Sequence, residues 1–137
     1  MSGFLIDTNV ISELVRVRPD ARVVRWVESA DERLLFLSVL TLGEIRKGIT
    51  ALANTKRQSS LETWLQNLAL RFNGRVLPID ENVADRWGKM IGTVKSPLPV
   101  IDSLLAATAL QHNLTLVTRD TQGIAVTGVS LLNPWEI

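Results

Sequence analysis

Four carboxylates stand out for their positions. Asp7 follows the short apolar run Phe4-Leu5-Ile6, and Asp120 comes two residues after the end of the run Thr115-Leu116-Val117-Thr118, which puts both at strand ends. Asp102 and Glu44 lie on segments with helical periodicity. At 100° per residue, Asp102 shares a stripe with Leu105, Ala106 and Ala109 on a helix that is apolar nearly all round. Glu44 shares a stripe with Leu40, Gly48 and Ala51, away from Arg46 and Thr50; Gly48 would let something approach the backbone closely. A carboxylate buried without a partner is too costly to keep charged, so it is neutralised, paired or bound to a cation.

Taken singly, each acid has a structural explanation. Asp102 lies in a first helical turn and can cap it. Glu44 can pair with Lys47 at i+3. Asp7 can cap the helix opened by Asn9, and Asp120 can serve the turn Arg119-Asp120-Thr121. One cause covers all four together: a hard divalent cation, Mg²⁺ or Mn²⁺, which takes oxygen ligands. Water on such an ion is a usable nucleophile, and the ion offsets charge on a phosphate. Four carboxylates in a chain without cysteine therefore suggest phosphodiester hydrolysis. The one histidine, His112, falls in a last helical turn, where it complements the helix dipole, and this argues against Ser-His-Asp chemistry. The glycines form neither a GxGxxG nor a P-loop pattern. Trp26, Trp64, Trp87 and Trp135 are scattered and read as core or interface anchors, not a base-stacking platform.

The elements that must position these acids are legible. Strands are expected at Phe4-Leu5-Ile6, Leu34 to Leu37, Arg75-Val76-Leu77, Thr115 to Thr118 and Val129 to Leu132. Helical spacing runs through Val10, Ile11 and Leu14, through Val23, Val24 and Val27, and from Val39 to Leu52. It continues from about Lys56 to Phe72, closed by Gly74, from Asp80 through Met90, and from about Ile101 to Gln111, with Asn113 as its stop. Strands separated by helices imply an α/β fold with helices on both faces of a mostly parallel five-stranded sheet. In such sheets ligands bind beyond the carboxyl ends of the strands.

The chain's 137 residues, 46% of them apolar, fit a single packed domain spanning 1–137. The absence of cysteine excludes disulfides and thiol catalysis and fits a reducing compartment. No basic leader opens the chain, and the longest apolar stretch falls far short of the ~20 residues of a membrane span, so a soluble, cytoplasmic protein is expected. A net charge of +1 does not advertise nucleic-acid binding, but Arg16, Arg18, Arg22 and Arg25 crowd one segment and Arg46, Lys47, Lys56 and Arg57 another.

These residues match a family. "FLIDTNVISELVR" (4–16), "LSVLTLGEIRKGI" (37–49), "RVLPID" (75–80), "IDSLLAATALQHNLTLVTRD" (101–120) and a closing "NPW" (133–135) resemble PIN-domain nucleases, and among them VapC toxins of the FitB-like branch. The ordered acids, 37, 58 and 18 residues apart, carry the match; a lone DTN or TRD would not. The resemblance implies a PIN-like three-layer α/β/α sandwich with Asp7, Glu44, Asp102 and Asp120 as its acidic metal site. Asn9, Ser38 and Thr118 match polar positions that line or support that site. It further implies Mg²⁺ or Mn²⁺, cleavage of RNA, homodimerisation, and inhibition by a cognate antitoxin that covers the site. The early arginines would grip flanking phosphates. Where many relatives carry a further acid followed by Phe, this chain has Gly123 and Ile124. Two other readings stand beside this one. A different Mg²⁺-dependent phosphohydrolase of the haloacid-dehalogenase type would want a second Asp where Asn9 stands. A catalytically silent RNA-binding or regulatory module would use the same fold.

Overall fold

In the computed structural model, which describes residues 2–137, the apolar runs form five short strands. They are β1 (Phe4–Ile6), β2 (Leu35–Ser38), β3 (Val76–Leu77), β4 (Thr115–Val117) and β5 (Leu131–Leu132). They make one sheet in the order β3-β2-β1-β4-β5, and every pairing is parallel. The expectation of a mostly parallel sheet thus sharpens to a wholly parallel one. Every connection between strands is long enough to be a crossover, and a crossover is what parallel neighbours need.

Strand alternation divides the core in two. Ile6 and Val117 face one side with Val10, Val23, Ile45, Ile49, Leu65, Leu68 and Trp135. Leu5 and Leu116 face the other with Val83, Met90, Leu105, Ala106, Ala107 and Ala109. The first side is covered by α1 (Thr8–Glu13), α2 (Ala21–Ser29), α3 (Val39–Thr50) and α4 (Thr55–Arg71). The second is covered by α5 (Glu81–Thr93) and α6 (Val100–Gln111). The result is a three-layer α/β/α sandwich.

Local chemistry sets the boundaries. Asp20 caps α2 by accepting from the Arg22 amide at 2.9 Å, and Asp80 caps α5 by accepting from Val83 at 2.9 Å. Gly74, just past α4, has φ +83°, and Asn113, just past α6, has φ 57°. Both are left-handed stops that the sequence signals. Three 3-10 turns, Glu32–Leu34, Ile124–Thr127 and Pro134–Glu136, are not foreseen, because so few residues show no period. The four tryptophans are core anchors: Trp135 is buried, Trp26 meets Phe4 edge-on at 5.2 Å, and Trp87 donates to Ser103 Oγ at 2.8 Å.

Gly3 leads into β1 where the backbone of the neighbouring segment passes close by. A Cβ there would sit 2.6 Å from the Leu34 carbonyl oxygen and 3.1 Å from the Phe36 ring. Gly3→Ala should therefore destabilise the protein by roughly 1–3 kcal/mol, the usual cost of overpacking, because the obstacle is backbone. A thermal melt that left Tm unchanged would show that the strand can shift freely.

Candidate functional site

From β1 the chain steps outward through β2 to β3, then returns to lay β4 and β5 on the other side of β1. The crossovers change face at this reversal, and in such sheets the ligand crevice lies beyond the carboxyl ends of the strands at that point, here β1 and β4. Asp7 is the first residue after β1, and Thr118 and Asp120 follow β4. Glu44, in the second turn of α3, and Asp102, in the first turn of α6, come to the same group.

Asp7 is buried and held on both oxygens. Oδ1 accepts from the Thr8 amide at 2.7 Å, and Oδ2 accepts from the buried Thr118 hydroxyl at 2.7 Å. It is therefore the cap of α1, as one sequence reading allowed, and also faces the other acids. Burial pushes its pKa up to about 6, against the pull of the Thr118 and Thr8 hydrogen bonds, and repulsion from Asp102 and Glu44 pushes the same way. Asp102 is only half-buried, less than its apolar stripe suggests. Its carboxyl is also raised, first by burial and then by Asp120 and Glu44. It does not cap α6: Pro99 holds that position, with no side-chain cap bond. Glu44 does not pair with Lys47; its Oε1 accepts from the Thr8 hydroxyl at 2.5 Å. That hydroxyl also lies 3.1 Å from Thr41 Oγ1, so with its own proton on the carboxylate it accepts from Thr41. Asp120 is exposed on the rim, coupled to Asp102.

Repulsion thus links the four acids through Asp102, which is coupled to each of the other three, while Asp7 is coupled also to Glu44. Among the described residues, none of them belongs to a salt bridge. Of the expected supporting residues, Thr118 holds Asp7, and Ser38 is fully buried and caps α3 by accepting from Leu40 N at 3.0 Å. Asn9 is exposed on α1. Gly48 is also exposed, with nothing within 4 Å of a Cβ placed there, so no other part of the chain makes the close approach that it permits. Thr8 and Thr41 were missed. Their partner Glu44 is 36 and 3 residues away, and only the packing of α1 on α3 joins them.

The donor set suits a hard cation: carboxylate oxygens, partly withdrawn from water, with hydroxyls for neighbours and no basic side chain bonded to them. Among the described residues no three His, Cys, Asp or Glu side chains are grouped closely enough to hold a metal ion between them. An ion here would keep part of its water shell, which Mg²⁺ does by preference. A groove of about 680 Å³ between α5, α6 and the Ile124–Thr127 turn is lined by none of the four acids. Of the early arginines, Arg16 pairs with Glu13 and Arg22 with Asp20, so neither is wholly free for a phosphate.

Such a sheet, with acids at its switch point, has known counterparts. The PIN domain family model matches residues 4–128, and the chain belongs to that family. It is 40% identical to Toxin FitB of Neisseria gonorrhoeae, over 96% of this chain and 98% of that protein. It is 35% identical to VapC ribonuclease Y4jK of Sinorhizobium fredii, over 96% and 97%. Among solved structures, FitAcB from N. gonorrhoeae matches with a TM-score of 0.94 and 39% identity, covering 98% of this chain and 99% of that one.

The elevated Asp7 pKa has a defined sign for stability. The folded state holds its proton up to about pH 6, whereas the unfolded chain releases it near 3.8. Between these values the folded state binds more protons, so stability falls as pH rises through the window. The shift corresponds to about 3 kcal/mol as an upper bound. In EDTA, wild-type Tm should drop between pH 4 and 7. Asp7→Asn keeps an acceptor for Thr8 without the charge, so it should flatten that drop and melt higher than wild type at pH 7. A lower Tm for Asp7→Asn at pH 7 would make its capping role dominant.

Proposed function

We propose that this chain is a metal-dependent endoribonuclease that acts as the toxin of a toxin–antitoxin pair. The observation that carries the reading is the group of four carboxylates at the switch point, coupled through Asp102, with no basic side chain paired to them. The relatives named Toxin FitB and VapC ribonuclease support the choice of RNA and of toxicity.

Asp7 and Asp102 would hold Mg²⁺ or Mn²⁺, with Glu44 and Asp120 engaging it directly or through water. When bound, the ion supplies a water of lowered pKa and offsets phosphate charge. The chain's own residues do the rest. The Thr8 amide and Thr118 hydroxyl fix both Asp7 oxygens, so the carboxylate cannot swing away when charge enters the site. The Thr41–Thr8 relay orients Glu44 in the same way. Burial at the root of the crevice, beside Ser38 and Thr118, thins the water around the reacting phosphate and strengthens every charge interaction there.

An antitoxin covering this crevice would silence it, and the chain would work as a homodimer. A solved structure described as FitAB bound to an IR36 DNA fragment is similar to this chain at a TM-score of 0.91 and 38% identity. Among the described residues no helix is long and apolar enough to cross a membrane.

Purified protein should cut total bacterial RNA with Mg²⁺ or Mn²⁺ and leave it intact in EDTA; intact RNA in all conditions, with the fold verified, overturns the reading. The metal should also stabilise the native state, by about 2.7 kcal/mol at a hundredfold excess over Kd. Asp102→Asn should shrink that gain, and Glu28→Gln, on the exposed part of α2, should not. An equal metal response in all three proteins would remove Asp102 from the ligand set. Expression of the chain alone should arrest bacterial growth, and unimpaired growth at high soluble yield would count against toxicity.

A further inference from the structure

The closing Asn133-Pro134-Trp135 segment takes no part in the acid site, yet it is built with care. Asn133 Oδ1 caps the Pro134–Glu136 turn by accepting from Trp135 N at 2.9 Å. The Nδ2 of the same side chain donates to the Arg119 carbonyl at 3.0 Å. Trp135 is buried, and the Arg119 guanidinium lies over its ring, 5.0 Å from the centroid. The turn therefore holds Arg119 at both ends, by its backbone and by its charged head.

Arg119 stands between Thr118, which bonds Asp7, and Asp120, the rim acid. The contacts put the two neighbouring side chains on different sides: Thr118 turns to Asp7, while Arg119, in the bend after β4, turns to Trp135 in the α2 layer. An acid that feels its charge there, Asp20, is taken up by Arg22, with contacts of 3.2 and 2.9 Å. Among the described residues Arg119 has no salt bridge. A planar guanidinium stacked on an indole keeps its N–H edges available, and this edge geometry suits phosphate oxygens. Stacking also removes much of the rotamer freedom that binding would otherwise have to freeze.

We propose that Arg119, seated on the Asn133-Pro134-Trp135 turn, binds a backbone phosphate of the RNA strand beside the one that is cut. The inference rests on the ribonuclease reading above. It makes Arg119 a substrate-anchoring residue and gives the C-terminal turn the task of presenting it.

The test uses a labelled oligonucleotide spanning a cut site found in total RNA, with KM and kcat measured over a salt series for wild type, R119Q and R119K. An anchor that binds ground and transition states equally raises KM on removal and leaves kcat nearly unchanged. R119Q should therefore raise KM several-fold at low salt. It should also lower the slope of log KM against log salt by about 0.7, the value for one phosphate contact to a single strand. R119K keeps the charge without the fork, so it should keep the slope and lose part of the affinity. Tm should stay at the wild-type value in both. Wild-type KM and slope in R119Q would overturn the anchor while leaving the ribonuclease reading intact. An equal loss in R119Q and R119K with a lowered Tm would overturn it in favour of a structural role. Absence of any cleavage by wild type would bring down the ribonuclease reading and this inference with it.

Discussion

Like charges gathered at one edge of a sheet are a standing cost to a fold, and the rest of this structure is arranged around that cost. At Asp7 burial is the larger part of the cost, and repulsion adds to it. Its burial and its acidic neighbours raise its pKa to about 6, so near neutral pH the folded chain holds a charge it would hold more cheaply unfolded. The compensation lies elsewhere in the molecule, in the two apolar clusters that clamp the sheet from both sides. A small domain can keep a strained site only if its core over-determines the backbone that carries it. Here the core does so through β1, whose alternate residues Leu5 and Ile6 are buried in opposite layers.

The wholly parallel sheet is what makes the site possible. Parallel order puts the carboxyl ends of all five strands on one edge, and the reversal between β1 and β4 opens that edge at its centre. Asp7 and Asp120 reach it by following strands, and Glu44 and Asp102 by riding on helices that begin there. An antiparallel neighbour at β1 would have replaced one of these strand ends with a strand beginning. The acids are far apart in sequence for the same reason: each belongs to a different crossover.

Much of this was legible beforehand, and the exceptions share a cause. The strands, the six helices and the stops at Gly74 and Asn113 are written in local composition and period. The four acids could be picked out because an acid on an apolar stripe or at a strand end violates a local rule. What could not be read were partners set by tertiary packing. Nothing near Thr8 in the chain announces that it will bond Glu44, since the packing of α1 on α3 decides it. At Gly48 the missing side chain leaves open space, which no neighbour within the chain fills. Asp102 came out less buried than its stripe, because it stands in the first turn of α6, where the helix emerges from the core.

The groups that hold the acids are as telling as the acids. Asp7 and Glu44 are oriented by hydroxyls and an amide, none of which carries charge. An arginine or lysine in those places would fix the carboxylates equally well, but it would also satisfy them, and a cation arriving later would have to displace it. Neutral donors fix position without cancelling charge, so the site stays electronegative while its geometry is set. Cationic side chains are kept out by the backbone itself. Arg119 lies between two residues of the site, yet the bend after β4 and the Trp135 ring turn it to the opposite layer. The same short segment thus supplies a donor that holds an acid, an acid of the rim, and a segregated positive charge. Reversing the parity of that segment by one residue would bring the guanidinium among the carboxylates and neutralise them.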